Sequence, residues 1–165
     1  MKAIVYTSDT GHTERYAKML GDKTELSVYK LDEALKQLPY GSEIIYLGWL
    51  FANNIKGIKK ASKNYKISAA VAVGLCDTGT ALDEVRLVNA IPEEIPLFTI
   101  QGGMDKTALR RSYRYVINVL IKLFSAKKEK TESDCRMLYL LTHDKDYVSE
   151  ENLVVFMEWY RKNAF

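Results

Sequence analysis

The residues whose types could do chemistry gather where apolar runs give way to helical patterns. The first group is Thr7-Ser8-Asp9-Thr10-Gly11-His12-Thr13-Glu14. Three hydroxyls, Ser8, Thr10 and Thr13, surround a glycine at the start of an expected helix. The first turn of a helix leaves N–H groups unpaired at the positive end of its dipole, so such a loop holds a phosphate without any basic side chain. Gly11 lets the backbone approach an anion closely. The segment has neither the lysine and spacing of a Walker loop nor a GxGxxG pattern. A hydroxyl-rich N-capping turn is the plainer alternative.

Three later groups stand in similar places. Gly48-Trp49-Leu50-Phe51 follows an apolar run, and Trp49 offers a flat apolar surface either to a ring-shaped ligand or to the end of a sheet. Asn53-Asn54 suits a turn, because Asn tolerates the left-handed backbone. Gly74-Leu75-Cys76-Asp77-Thr78-Gly79 ends another run, and Cys76 there reads as a small hydrophobe before a redox thiol. Gln101-Gly102-Gly103-Met104-Asp105 ends a third. His143-Asp144-x-Asp146 lacks a third ligand group for a metal and reads as a polar turn. No Ser/His/Asp or Cys/His arrangement stands out, nor do paired carboxylates at strand ends. That pattern fits a protein whose chemistry is carried by a bound cofactor.

The elements that must position these groups alternate between strand and helix. Strands are expected at Ala3–Tyr6, Glu25–Leu31 (an edge), Glu43–Gly48, Ala69–Cys76 and Pro96–Gln101. Helices are expected at Thr10–Leu20 with Gly21 as its stop, Asp32–Leu38, Ile55–Tyr65 and Ala81–Ala90. A long helix is expected over Asp105–Phe124, with Asp105 as N-cap. Its Leu109, Tyr113, Val116, Ile117, Leu120, Ile121 and Phe124 form one apolar stripe. Residues 131–148 read as an irregular appendage, and Ser149 caps a closing helix to Arg161 that turns Leu153, Met157 and Tyr160 inward. Near-continuous apolar strands between helices imply a parallel sheet covered on both faces. Ligands then bind outside the carboxyl ends of the strands, where the strand order reverses.

A chain of 165 residues is expected to make one domain, which buries roughly 70% of its unfolded surface. With 47% hydrophobic and 27% charged residues, the composition excludes a disordered chain, a coiled coil and a collagen-like fibre. Two cysteines make neither a disulfide framework nor a zinc site, so a reducing cytoplasmic setting is expected. The N-terminal apolar run is too short for a secretory signal, and no stretch approaches the about 18 apolar residues of a membrane span. A net charge of +3 is too mild to imply nucleic acid. Asp105 to Lys130 nevertheless holds eight cations against two acids. Lys56, Lys59, Lys60 and Lys63 share one helix face, either a solvated surface or a docking site for an acidic redox partner or anionic acceptor.

Ser8-x-Thr10-Gly11-x-Thr13 after the first strand resembles the phosphate loop of the flavodoxin family. The groups after the third and fourth strands fall where that family contacts its flavin. The Gly102-Gly103 turn is similar to the flavodoxin-domain branch that includes menaquinone-dependent protoporphyrinogen dehydrogenase. The resemblance implies a doubly wound five-stranded sheet of order 2-1-3-4-5 and one noncovalent FMN. It places the phosphate at Ser8, Asp9, Thr10, Gly11, His12 and Thr13. The ring would lie against Trp49, Leu50, Phe51, Ala52 and Asn53, and against Cys76, Asp77, Thr78 and Gly79. It further implies electron transfer, or flavin-dependent reduction of a small acceptor such as a quinone. Two other readings stand beside it. One is a flavodoxin-like domain without flavin that serves as an interaction module. The other is a phosphoryl-accepting receiver, disfavoured because the first strand ends in Thr7-Ser8 and not in paired acids.

Overall fold

Apolar strands that are buried on both faces pair in parallel and need a helix between each pair to return the chain. The computed structural model, which describes residues 3–163, has this arrangement. In chain order the elements are β1 (Ala3–Thr7), α1 (His12–Thr24), β2 (Ser27–Lys30), α2 (Leu31–Gln37), β3 (Glu43–Phe51), β4 (Asn54–Ile55), α3 (Ile58–Asn64) and β5 (Lys66–Gly74). They continue with α4 (Leu82–Asn89), β6 (Leu97–Gln101), β7 (Gly103–Met104), α5 (Arg111–Ala126), α6 (Glu132–Thr142), β8 (Lys145–Asp146) and, after one 3-10 turn, α7 (Val154–Asn163). The long strands run parallel in the order β2-β1-β3-β5-β6. Counting those five alone, this is the expected order 2-1-3-4-5 of a flavodoxin-like three-layer fold.

Alternation along the strands divides the core in two. Val5, Ile44, Tyr46, Ala70 and Ala72 face α2, α3 and α4 through Leu31, Ala34, Ile58, Ala61 and Val85. Ile4, Ile45, Leu47 and Val71 face α1 and α7 through Tyr16, Ala17, Leu20, Phe156 and Met157. Ile4, Ile44, Ile45 and Leu47 are fully buried, each stabilising the fold by about 1.5–3 kcal/mol.

Several elements differ from expectation. Helix α1 continues past Gly21 to Thr24. Gly21 serves packing, since a Cβ there would lie 2.4 Å from Val28 Cγ2 on β2. Strand β5 spans Lys66–Gly74, earlier than Ala69–Cys76, because Lys66 pairs with Glu43 at the start of β3. Asp105 does not cap a long helix. Its carboxylate accepts the N–H groups of Thr107 and Ala108 and the Thr107 hydroxyl, closing a turn, and α5 begins at Arg111. Residues 131–148, expected to be irregular, contain α6, whose Thr131 and Asp134 form a capping box. Ser149 caps nothing; its N–H is donated to the Tyr16 hydroxyl, and α7 starts at Val154.

The largest departure is the place of α5. The sequence assigns its apolar stripe no partner, and it is α7 that packs on the sheet through Phe156 and Met157. Helices α5 and α6 instead form an antiparallel pair with its own apolar cluster around Met104, Leu109, Ile117 and Leu141. The pair leaves and rejoins the fold through β7 and β8, which pair antiparallel at Gly103↔Asp146 and Met104↔Lys145. Among the described residues, no helix is long and apolar enough to cross a membrane.

Candidate functional site

The carboxyl ends of β1, β3, β5 and β6 open into a cavity of about 440 Å³, roofed by the α5–α6 pair. Of the expected phosphate-loop residues, Thr10, His12 and Thr13 line it, while Ser8, Asp9 and Gly11 do not. The Ser8 hydroxyl accepts the Gly11 N–H at 3.1 Å, and Gly11 itself takes the left-handed conformation (φ 93°) just before α1. The first intrahelical backbone bond of α1 runs from the Arg15 N–H to the Gly11 carbonyl. The N–H groups of His12, Thr13 and Glu14 therefore precede the ladder, as in any helix start. Space around Gly11 is open, with nothing within 4 Å of where a Cβ would stand.

His12 sits at the floor of this loop, its Nδ1 2.9 Å from the Thr10 hydroxyl. Burial lowers its pKa; the Asp146 and Asp105 carboxylates oppose the shift and Arg15 adds to it. The ring is consequently neutral at pH 7. Gly103 after β6 makes room for it, and Gly102 makes room for Val73. A Cβ on Gly103 would lie 2.7 Å from His12 Nε2 and 2.3 Å from the Lys145 carbonyl, and one on Gly102 would meet Val73 at 2.5 Å. Asp9 turns away from the cavity to Arg110, at 3.5 Å, tying this loop to the approach of α5.

The second wall is a β-hairpin that the sequence pattern did not disclose. Strand β3 runs past Gly48 to Phe51, and Leu50 and Phe51 pair antiparallel with Ile55 and Asn54 of β4. The two-residue turn is Ala52-Asn53, with positive φ at both residues (48° and 59°), the signature of a type I′ turn. Asn89, buried at the end of α4, pins this hairpin. Its Oδ1 accepts the Ile55 N–H at 2.8 Å, and its Nδ2 donates to the carbonyls of Asn53 and Val85. Trp49, Leu50, Phe51, Ala52 and Asn53 all line the cavity, as expected.

Trp49 is held edge-on by its neighbours. Its ring centroid lies 6.1 Å from that of Phe51 and 5.0 Å from that of Tyr113 on α5. Phe51 and Tyr113 are 4.9 Å apart. The Lys56 ammonium lies between 5.3 and 5.7 Å from all three centroids. Aromatic pairs contribute about 0.5–1.5 kcal/mol each and a cation–π contact about 0.5–1 kcal/mol at an exposed site. The cluster thus clasps the roof to the hairpin. Lys56 is committed to these rings; Lys59, Lys60 and Lys63 are exposed, and Lys60 pairs with Asp32 at 2.9 Å. The four lysines therefore do not form one uniform docking face.

After β5, Cys76 and Asp77 reach the cavity, but Thr78 and Gly79 do not. The Thr78 hydroxyl donates to Asn152 Oδ1 and accepts the Gln101 N–H, and the Gly79 N–H is donated to the Thr99 carbonyl. Both brace the fold beneath the site. Burial and the neighbouring Asp77 carboxylate raise the Cys76 thiol, with Arg136 opposing. The thiol stays protonated at neutral pH. Asp77 pairs with Arg136 of α6, a second tie between strand ends and roof. Asp144 and Asp146 are likewise engaged, with the Lys106 N–H and with Arg15.

The roof supplies lining residues that were not expected at a site: Leu109, Val116, Ile117, Leu120, Phe124, Met137 and Leu141. Their signal was present in the stripe along α5, whose partner the stripe does not specify. The chamber has a polar end at the α1 terminus and an apolar body between hairpin and roof. It can hold a flat apolar group that carries an anion at one end. No protein-family model, curated protein or solved structure matches this chain.

Proposed function

We propose that the cavity binds one FMN noncovalently, and that the protein works in electron transfer or in flavin-dependent reduction of a small acceptor in the cytoplasm. The observation that carries this reading is the continuity of the cavity from the α1 N-terminus, over the carboxyl ends of the strands, to the Trp49 hairpin and the Cys76 loop. The residues present fit the group. The leading N–H groups of α1 and the hydroxyls of Thr10 and Thr13 would hold the phosphate, and the walls from Trp49 to Asn53 and at Cys76 and Asp77 would flank the ring. Bound there, the flavin supplies the one- and two-electron chemistry that these side chains lack.

The chain's own contribution is to orient and to exclude water. Leu120, Phe124 and Leu141 of the roof give the body of the cavity an apolar lining. The neutral His12 ring, fixed by Thr10, presents a polar edge beside the anion end, where the Asp105 carboxylate also lines the cavity. A second reading, a domain without flavin that takes an apolar ligand, draws support from the Gly11 N–H and Thr10 hydroxyl being engaged inside the loop.

Titration with FMN and with riboflavin separates the two. FMN should bind with flavin fluorescence quenched, and Thr10→Ala should weaken FMN by roughly tenfold to a hundredfold while barely affecting riboflavin, as expected for one hydrogen bond to a charged group. Equal affinity for FMN and riboflavin, unchanged in Thr10→Ala, would defeat the phosphate assignment. Failure of both to bind would favour the second reading.

A further inference from the structure

Helix α5 is apolar on two sides. Ile117, Leu120 and Phe124 face the cavity. Tyr115, Val119 and Leu123 recur at i, i+4 and i+8 on the opposite side, as one stripe, and are 72%, 37% and 61% exposed. A helix whose only task was to roof a cavity would carry polar residues there. The charged residues of α5 itself, Arg111, Arg114 and Lys122, are all cations. From Lys106 to Lys128 the chain has seven Lys or Arg and no acid, although the whole chain carries only +3, so the remainder is net acidic. Arg111 lies one turn before Tyr115, and Lys122 one turn beyond Val119; both are exposed.

We propose that the outer face of α5 lies on an anionic lipid surface, with Tyr115, Val119 and Leu123 entering the headgroup boundary and Arg111, Arg114 and Lys122 meeting lipid phosphates. A cationic helix with a Tyr- and Leu-bearing apolar stripe and no acid has the composition of an interfacial helix. The acidic remainder of the molecule orients this end toward a negative surface. A second copy of the chain fits the face poorly. An α5–α5 contact would set Arg111, Arg114 and Lys122 against the same cations of the partner, with no acid on α5 to answer them. The surface does not depend on what fills the cavity, yet it puts one helix between an apolar chamber and a bilayer. An acceptor dissolved in lipid would then reach the site across α5.

The test is flotation of the full chain with phosphatidylcholine vesicles, with and without phosphatidylglycerol. The chain should float only with the anionic vesicles and be partly released by salt. Leu123→Asp should abolish flotation. Arg111→Gln with Lys122→Gln should lower partitioning about thirtyfold, at about fivefold per cation near the surface. Leu87→Asp, on the exposed side of α4, should change nothing. Circular dichroism establishes that each variant is folded; if Leu123→Asp is not, the double variant decides. Wild-type protein that stays in solution with anionic vesicles would overturn the proposal. So would loss of flotation in Leu87→Asp, or a dimer in sedimentation velocity that Leu123→Asp dissolves while lipid binding is absent.

Discussion

Asn89 offers the sharpest perturbation of the site, because one side chain holds the cavity's hairpin wall through two backbone groups. In Asn89→Ala the Ile55 N–H, on a residue only 1% exposed, loses its acceptor, and the Asn53 carbonyl loses its donor. The Val85 carbonyl is still reached by the helical ladder. A buried donor left unsatisfied costs about 1–3 kcal/mol, and the less buried carbonyl adds roughly 1 kcal/mol. Better helix propensity of Ala returns about half a kcal/mol. The net loss is about 1.5–3.5 kcal/mol, measured as a lower urea midpoint with an unchanged slope. Asn89→Asp sharpens the test. Its carboxylate can still accept from Ile55, but the other oxygen faces the carbonyls of Asn53 and Val85, which raises its folded-state pKa above the unfolded value. The folded state then binds more protons than the unfolded one above pH ~4, so stability falls as pH rises from ~4 to 7. Near pH 4 the protonated acid can donate to one carbonyl and accept from Ile55, and the variant should approach wild type. A difference between Asn89→Asp and wild type that does not change with pH would refute the hydrogen-bond assignment.

Ala52 occupies a left-handed position that costs an L side chain about 1–2 kcal/mol, so Ala52→Gly should raise the urea midpoint, by an equivalent of roughly 0.5–1 kcal/mol. Gly57→Ala should be severely destabilising. The new Cβ would lie 2.2 Å from the buried Tyr46 hydroxyl and 2.5 Å from Thr7 Oγ1, at a φ of 84°, and thermal melting should show a loss of several degrees or more. His12 is lowered by burial, so below pH ~6.5 the unfolded chain binds the proton more readily. The stability it contributes is present above ~6.5 and lost as pH falls through the folded value. His12→Gln should flatten that part of the stability–pH curve, and an unchanged curve would mean that the ring is not buried in solution.

The sheet was legible because parallel strands buried on both faces are written as unbroken apolar runs: Ile44-Ile45-Tyr46-Leu47 admits little else. The phosphate-like loop was legible for a local reason, since its hydroxyls and glycine are adjacent in sequence. Helix α5 was legible as a helix but not as a roof. An apolar stripe states that something apolar lies opposite, and Leu120 or Phe124 would read the same against a sheet or a cavity. The hairpin at Ala52-Asn53 was hidden because its turn lacks the glycine that usually marks positive φ. Strands β7 and β8 are two residues each, too short for any period. The Trp49, Phe51, Lys56 and Tyr113 cluster joins residues about 60 positions apart, a pairing that only the tertiary fold creates.

The pairing of β7 with β8 has a consequence for how this chain can vary. Gly103 and Asp146 stand side by side, so the about 40 residues between Met104 and Lys145 leave and re-enter the body through one doorway. Beyond the doorway, the excursion is tied to the body by side chains: Tyr113 on the hairpin, Arg110 on Asp9 and Arg136 on Asp77. The entropy of closing such an excursion grows with the logarithm of its length, about 0.6 kcal/mol per doubling. With those ties kept, the roof can therefore lengthen, shorten or be exchanged almost without charge to the rest of the architecture, and what the chamber accepts can drift while the frame that holds its floor stays fixed.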